Sequence, residues 1–434
     1  MIQYIIQDIN ELQQVREQLL ALSENYRVFS ILDSNDWKKD KYQTYDLIAA
    51  FGAAHSSTDS TAVNSFDKLR KVHALHKDWI FTYLSYDIKN ELEALSSDNY
   101  DGIGAANVSF FTPKLLFLIK NKVVKVFIHE NFANNESLTK NINDVLHGRL
   151  TTKPSKERPN IKIQHRIKRD DYLSAIAKIR QHIKLGSVYE LNYCQEFYAE
   201  NTIINPLNTY RKLIAKSPTP FAAFVRFNDT FILSASPERF LKKTNNTIIA
   251  QPIKGTARRQ ADSALDLQTK IDLQNNEKER AENIMIVDLI RNDLAHTAKE
   301  RSVKLEELCA IYSFEQVHQM ISTISSELDE DYDLFELLES CFPMGSMTGA
   351  PKIRAMELIE QYEFTKRGIY SGAIGYITPN GNFDFNVVIR TLIYNQANKY
   401  ISFIAGGAIT YLSDAEKEYE ESLLKAEAIR EILS

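Results

Sequence analysis

The sequence predicts an α+β fold with much antiparallel sheet. Strand-like apolar runs alternate with helical stretches, but without the regular strand–helix–strand spacing of a parallel sheet. Two of these runs, at 115–119 and 123–128, are separated only by Lys120-Asn121-Lys122, which is typical of an antiparallel hairpin. The other predicted strands lie at 28–32, 221–227, 231–235 and 247–251.

Four longer segments have the apolar spacing of amphipathic helices. They lie at 9–23, 170–185, 276–296 and 413–433. The first carries Leu12, Val15, Leu19 and Leu22 on one face. The second is followed by Gly186, a residue type that commonly ends a helix.

The length of 434 residues is enough for two or three domains. Residues 150–160 are polar and hold two prolines, which is typical of a linker. We therefore expect an N-terminal scaffold or regulatory-type region at 1–165. The second region, at 166–434, carries most of the unusual sequence motifs.

Composition excludes several classes of protein. The net charge of −5 and the lack of a Lys/Arg block argue against a nucleic-acid partner. No apolar run is long enough to cross a bilayer, and the start of the chain does not resemble a signal peptide. Cys194, Cys309 and Cys341 match no disulfide framework or metal spacing. We expect free thiols and a cytoplasmic location, with no membrane partner.

Two Glu-x-x-Glu pairs lie near the starts of the two longest predicted helices: Glu279 with Glu282, and Glu418 with Glu421. The first of these helices has four consecutive apolar residues at 284–287, so we expect it to be buried on most sides, where unpaired carboxylates are costly. If the pairs meet, they form an oxygen-only site of the kind that suits Mg²⁺. Acids in an exposed first helical turn, stabilised by the helix dipole, are the alternative.

Three glycine-containing segments are candidates for ligand contact. They are 251–259, which contains Lys254, 342–354, and 405–408 with Gly406 and Gly407. In the second, Ser346 and the free N–H groups at a helix start are suited to binding an anion. Each segment also fits an ordinary loop or strand end, so the residues alone leave both interpretations open.

Taken together, the motifs resemble the chorismate-utilising enzymes. They are Ser-Pro-Glu-Arg-Phe (236–240), Pro-Ile-Lys-Gly-Thr (252–256), Glu-Asn-Ile-Met-Ile-Val-Asp-Leu-Ile-Arg-Asn-Asp (282–293), Gly-Ala-Pro-Lys-Ile-Arg-Ala (349–355) and Tyr-Ser-Gly-Ala-Ile-Gly (370–375). The family includes anthranilate, aminodeoxychorismate, isochorismate and salicylate synthases. The resemblance is dense over 166–434 and implies a catalytic, chorismate-binding region there. It also implies two packed antiparallel sheets flanked by helices, with the active site between the sheets.

The resemblance implies roles for particular residues. Glu282 and Glu421 correspond to the principal Mg²⁺ ligands, with Glu279 and Glu418 beside them, and the metal binds the ring carboxylate of chorismate. Glu238 corresponds to a general acid that protonates the departing C4 hydroxyl. The predicted substrate-binding residues are Tyr370, Arg390, Thr256, Ser346, Gly406, Gly407 and Lys352. Tyr370 and Arg390 are assigned to the enolpyruvyl carboxylate.

Lys254 distinguishes the branches of the family. It aligns with a nucleophilic lysine of the aminodeoxychorismate synthases, whereas anthranilate synthases typically have alanine there. A lysine that attacks C2 allows ammonia to enter at C4, so the resemblance implies 4-amino-4-deoxychorismate, a precursor of para-aminobenzoate and folate. We expect the pKa of Lys254 to be depressed, because its neutral amine is the nucleophile and because nearby Mg²⁺ and desolvation both lower the pKa, while the paired carboxylates oppose that shift. Glu190 replaces the lysine that activates water in isochorismate and salicylate synthases, which argues against ring hydroxylation.

The resemblance also implies partners and leaves alternatives. We find no glutaminase motif, so we expect ammonia from a glutamine amidotransferase component II. Anthranilate synthase component I is the nearest alternative, and a catalytically silent regulatory subunit is an alternative of a different class. One departure from the family pattern is Gln319, which stands where relatives have histidine and cannot carry a proton.

Overall fold

The helices and strands come from a computed structural model that describes residues 1–9, 11–37, 40–59, 64–152 and 161–434. The helices are α1 Leu12–Leu22, α2 Ser65–His76, α3 Lys89–Leu92, α4 Glu136–Leu146, α5 Arg169–Lys184, α6 Pro206–Lys216, α7 Ser263–Asn275, α8 Glu277–Ala295, α9 Leu334–Cys341, α10 Lys352–Tyr362 and α11 Ala415–Leu433.

The strands are β1 Ile2–Asp8, β2 Val28–Asp33, β3 Leu47–Asp59, β4 Ile80–Leu84, β5 Val108–Lys120, β6 Val123–Ile128, β7 Gln164–His165, β8 Glu190–Ala199, β9 Phe221–Phe227, β10 Thr230–Ser236, β11 Arg239–Thr244, β12 Thr247–Gln251, β13 Ile253–Arg258, β14 Lys304–Ser313, β15 Val317–Glu327, β16 Gly349–Ala350, β17 Ala373–Ile377, β18 Phe383–Val387, β19 Thr391–Asn395 and β20 Tyr400–Ile409.

The strands form two antiparallel sheets that share the long strand β5. One edge of β5 pairs with β3, whereas the other edge pairs first with β4 and then with β6. The first sheet continues from β3 through β2, β9, β10, β19 and β20 to β8. The second continues from β4 through β17, β18, β11 and β12 to β15, which also pairs with β13 and β14.

A hydrophobic layer between the two sheets joins them face to face. It includes Ile48 and Val225 from the first sheet, Phe81 and Ile374 from the second, and Phe111 from the shared strand. Apolar residues of α1, α4, α6 and α11 cover the outer face of the first sheet, and those of α2, α8 and α9 cover the second. The predicted fold, α+β with two packed antiparallel sheets flanked by helices, is confirmed.

Most predicted elements appear within a few residues of their expected bounds. Alternating burial explains why: in β6, for example, Val124, Val126 and Ile128 are buried while the intervening residues are less so. One expectation about burial is wrong. Helix α8 is not buried on most sides, since Ile284 is 39% exposed and the ion pair between Asp288 and Arg291 lies at the surface.

Strands from both predicted regions share the same sheets. Strand β2 pairs with β9 in the first sheet, and β4 pairs with β17 in the second. Both sheets therefore contain strands from either side of residue 165. The division into regions at 1–165 and 166–434 stays a prediction. Most of the predicted linker, 153–160, lies outside the described residues. Across the part of the chain that the structure describes, no helix is both long and apolar enough to span a bilayer.

Candidate active site

The two glutamate pairs face each other across the start of α8 and the start of α11. Each helix begins with a side-chain cap: Asn276 accepts a hydrogen bond from the N–H of Glu279, and Asp414 accepts one from the N–H of Lys417. These caps fix the starts of the helices, whose first two turns carry the four glutamates. Glu282 and Glu418 are buried, which excludes the alternative that both pairs are merely exposed first-turn acids.

The ammonium of Lys278 lies between the two helices. Its Nζ is 3.7 Å from Oε1 of Glu282 and 3.6 Å from Oε1 of Glu418. A second lysine, Lys425, is 2.7 Å from Glu421 and donates a hydrogen bond to the carbonyl of Gly406. Both lysines stand four residues from a glutamate on the same helix, a spacing that favours ion pairs. We did not assign either of them to the site from the sequence.

Burial sets the charge state of these glutamates. It raises the pKa of Glu282 to about 7, and it also raises the pKa values of Glu279 and Glu418. Burial acts in the same direction on Glu421, but the adjacent Lys425 outweighs it and the pKa of Glu421 is lowered. The site therefore contains carboxylates of unequal proton affinity, and of the four only Glu421 has a pKa below its ordinary value.

The carboxylates fit a divalent cation in two respects. Their oxygens approach one gap from two helices, and Oε1 of the buried Glu282 has no hydrogen-bond partner. The same gap already attracts the positive charge of Lys278. As they stand, the described residues hold no group of three or more His, Cys, Asp or Glu side chains arranged to bind an ion. The Mg²⁺ ligands Glu279, Glu282, Glu418 and Glu421 therefore stay a prediction.

Lys254 on β13 points toward these carboxylates and is almost fully buried. Its Nζ lies 2.9 Å from Oε1 of Glu190 on β8. Burial lowers the pKa of Lys254, but Glu190, Glu282 and Glu238 together outweigh burial and the pKa is raised. Among the protein's own groups the expected depression is therefore not found, because the sequence did not show that Glu190 is the partner of Lys254. The lowering expected from Mg²⁺ stays a prediction.

Glu238 lies in the turn between β10 and β11 and is buried. Burial raises its pKa to about 7, while a hydrogen bond to Ser346 and the charges of Lys254 and Arg390 limit the rise. Glu238 and Ser346 line one small cavity, together with Gly345 and Asp293. A carboxyl group with this pKa holds a proton near neutral pH, as a general acid must.

Strand β8 organises the site through alternate residues, which lie on one face of a strand. Glu190 contacts Lys254, and Asn192 donates a hydrogen bond of 2.7 Å to the carbonyl of Ser346. Cys194 lies 3.6 Å from the hydroxyl of Tyr370. One face of β8 thus connects three of the predicted site residues, and its period-two spacing in 190–194 was the available sequence signal.

Gly406 and Gly407 lie on β20, directly beside β8. A Cβ atom on Gly406 would be 2.0 Å from the carbonyl oxygen of Tyr193, so only glycine fits. A Cβ on Gly407 would be 3.4 Å from Glu418 and 3.5 Å from Glu421, so this backbone borders the carboxylates. The two glycines therefore bring an open stretch of backbone to the glutamate site.

Arg390 and Tyr370, which are predicted to bind the enolpyruvyl carboxylate, are connected to each other through the backbone. Arg390 is partly buried near Glu238, and this burial lowers its pKa. The segment before Arg390 joins that of Tyr370 through the hydrogen bond from the N–H of Ser371 to the carbonyl of Val388. The predicted pair for the enolpyruvyl carboxylate thus lies on neighbouring backbone segments.

Lys352 and Thr256, two predicted substrate-binding residues, contact groups other than the four glutamates. Lys352 forms a 2.6 Å ion pair with Asp293, which lines the Glu238 cavity, so its charge is already neutralised. Thr256 is exposed on β13 and pairs in register with Gln319. Their roles as substrate-binding residues stay predictions.

Gln319, which stands where relatives have histidine, carries an unpartnered buried oxygen. Oε1 of Gln319 is buried without a hydrogen-bond partner. The neighbouring His318 does not substitute for it, because its ring contacts Ser313 at 2.8 Å and Asp266 at 3.1 Å. His318 thus belongs to a separate polar cluster.

Comparison with known proteins agrees with this geometry. The chorismate binding enzyme family matches residues 28–431 of the chain. Aminodeoxychorismate synthase component 1 of Escherichia coli K12 is 39% identical over 266 residues, which cover 61% of this chain and 58% of that protein. The chain thus spans less than two thirds of the length of that relative.

Two anthranilate synthase components are similar over more of the chain. Anthranilate synthase component 1 of Aquifex aeolicus VF5 is 32% identical over 360 residues, covering 80% of this chain and 72% of that protein. The crystal structure of component I from Streptococcus pneumoniae TIGR4 superposes with a TM-score of 0.77 at 26% identity, covering 93% of this chain and 92% of that one. By its sequence match and by its fold, the chain belongs to the chorismate binding enzyme family.

Proposed function

We propose that the chain aminates chorismate at C4, producing 4-amino-4-deoxychorismate. The observation that carries this proposal is the buried Lys254, which lies among Glu190, Glu238 and Glu282. A lysine in that place supplies a nucleophile that direct amination at C2 does not need. The relative from Escherichia coli that matches at 39% identity is named for this reaction.

The residues support a two-step displacement. The amine of Lys254 forms a bond to C2 of the ring, both ring double bonds shift by one position, and the C4 hydroxyl leaves as water with the proton of Glu238. Ammonia then bonds to C4, both double bonds shift back, and the lysine leaves C2 with its electron pair. Together the two steps replace one poor displacement, that of the C4 hydroxyl by ammonia, with two easier ones.

Charged side chains and backbone groups around C2 and C4 of the ring orient the substrate. We assign the enolpyruvyl carboxylate to Tyr370 and Arg390, with backbone N–H groups near Gly406 and Gly407. We assign the ring carboxylate to a Mg²⁺ ion on Glu282 and Glu421, with Glu279 and Glu418 beside it. When bound, that ion neutralises the carboxylate and fixes the ring.

Ammonia is assigned to a glutamine amidotransferase partner. The cysteines of this chain are poor candidates for a glutaminase nucleophile, because all three are buried. Burial raises the pKa of Cys194 to about 11 and that of Cys341 to about 12. We expect turnover with ammonium salts at high pH, and turnover with glutamine only after an amidotransferase is added. Glutamine-dependent turnover by the pure chain would contradict this assignment.

A product assay tests the function. Purified chain is incubated with chorismate, Mg²⁺ and ammonium, and products are followed by fluorescence and mass spectrometry. We expect a non-fluorescent amino acid with the mass of aminodeoxychorismate. The second candidate is anthranilate synthase, which the relatives from Aquifex and Streptococcus favour. Fluorescent anthranilate as the main product would overturn amination at C4 in favour of that candidate.

A further inference from the structure

We propose that Glu190 is the internal base of Lys254: it takes the proton that the lysine must lose before it attacks chorismate, and returns it after the lysine is displaced. The proposal rests on the proposed function, since it assigns a partner to the nucleophile of that reaction. It gives a role to a residue that the sequence comparison used only to exclude hydroxylation.

The contact between the two side chains is direct and buried. Nζ of Lys254 is 2.9 Å from Oε1 of Glu190, and Glu190 is only 1% exposed. Within the described chain, this is the one ion pair that Lys254 makes at 4 Å or less. Oε2 of Glu190 is also buried and has no hydrogen-bond partner. The carboxylate therefore has a second oxygen with no competing donor, beside the ammonium whose proton must leave.

The 2.9 Å contact gives the proton a direct route from Lys254 to Glu190. The opposite charges of the pair attract each other, so the proton rests on Lys254 until the lysine reacts. Moving one proton from Lys254 to Glu190 yields a neutral amine and a neutral carboxylic acid. No proton is exchanged with solvent, so the step stays available when substrate excludes water from the site.

The proton balance closes over a full cycle. Lys254 transfers its proton to Glu190 and bonds to C2, while the C4 hydroxyl leaves as water with the proton of Glu238. Ammonia bonds to C4 as an ammonium group, and Lys254 leaves as a neutral amine. The new ammonium group returns a proton to Glu238, and Glu190 returns its proton to Lys254. The net change is chorismate plus ammonia to aminodeoxychorismate plus water.

Other charged groups surround the pair but do not replace Glu190. Glu238 must keep its own proton for the leaving hydroxyl. The remaining groups that face the pair or its neighbours are Glu279, Glu282 and Lys278 on α8, Glu418, Glu421 and Lys425 on α11, and Arg390. None of these forms an ion pair with Lys254 in the described part of the chain. Glutamine at position 190 also removes the charge that helps to raise the pKa of Glu282, and Glu190→Asp, which keeps that charge, is the control for this effect.

The test compares the pH dependence of adduct formation in wild type and Glu190→Gln. Enzyme and chorismate are mixed without ammonia, quenched at short times, and the Lys254 adduct is quantified by intact mass spectrometry between about pH 5 and pH 8. Glutamine retains an oxygen that can accept the hydrogen bond from Lys254 but cannot take its proton. The ratio of variant to wild-type rate cancels the shared dependence on Glu238.

We expect Glu190→Gln to form the Lys254 adduct about 100-fold more slowly than the wild type near neutral pH. We also expect the rate ratio to rise about tenfold per pH unit, because the variant lysine must lose its proton to solvent. Glu190→Asp, which retains a carboxylate, should restore the wild-type pH profile at a reduced rate. A ratio that does not change with pH would overturn the role of Glu190 while leaving the proposed function intact. If the wild type forms no adduct, the nucleophilic role of Lys254 fails, and the role of Glu190 fails with it.

Discussion

Lys278 on α8 reaches across to Glu418 on α11, with 3.6 Å between its ammonium nitrogen and the nearer carboxylate oxygen. The same nitrogen is 3.7 Å from Glu282 on its own helix. One positive charge therefore neutralises carboxylates of two helices. This gap between α8 and α11 is where a metal ion would bring its own positive charge.

Glu282→Gln and Glu421→Gln should abolish Mg²⁺-dependent turnover while the protein stays folded, because each removes a negative oxygen ligand and keeps the shape of the side chain. Calorimetric titration of Mg²⁺ in the presence of chorismate should show weakened binding in both variants. Glu277→Gln is the matched control, since Glu277 is exposed in the first turn of α8. Full activity of the wild type in excess EDTA would rule out a metal role.

Lys254→Ala should lose nearly all formation of aminodeoxychorismate while chorismate binding is mostly retained. The substitution removes the nucleophile but leaves Glu238, the glutamates and the residues assigned to the carboxylates. Wild-type enzyme mixed with chorismate and no ammonia should carry a mass adduct on Lys254, and the variant should carry none. Amination at C4 by the variant at the wild-type rate would show that the lysine is structural.

In the wild-type enzyme, formation of the Lys254 adduct should become slower as the pH rises above about 7, by about tenfold per pH unit. The reason is that burial raises the pKa of Glu238 to about 7, and only the protonated carboxyl group can give a proton to the leaving hydroxyl. Below this pKa the acid is fully protonated and its contribution is constant. Glu238→Gln should lose both this alkaline limb and about 10²- to 10⁴-fold in rate. An unchanged alkaline limb in that variant would assign the limb to another group.

Gly406→Ala should destabilise the protein by about 1–3 kcal/mol or more. Its new Cβ would be 2.0 Å from the carbonyl oxygen of Tyr193, and the backbone atoms of two hydrogen-bonded strands cannot move aside easily. Gly407→Ala is the matched control, since its nearest neighbours would be 3.4–3.5 Å away at the ends of side chains. Urea denaturation should separate the two variants, and equal midpoints would contradict the packing argument.

Local sequence determined the elements of this fold. The hairpin of β5 and β6 follows from two apolar runs separated by three residues, and the bounds of β6, β9 and β12 agree with the predicted ones. Helix α11 follows from its apolar spacing. These features are local because backbone hydrogen bonding imposes a fixed period on each element. Lys254 and Glu238 were also identified from short motifs, although the motifs did not show their charge states.

Tertiary structure decided the surroundings of those residues. Lys254 and Glu190 are 64 positions apart in sequence but share a buried ion pair. That contact reversed the expected direction of the pKa shift of Lys254. Likewise, only the packing of α11 beside α8 brings Lys278 to Glu418. The physical reason is that electrostatic energy depends on distance and burial in three dimensions, and neither can be read from the spacing of residues along the chain.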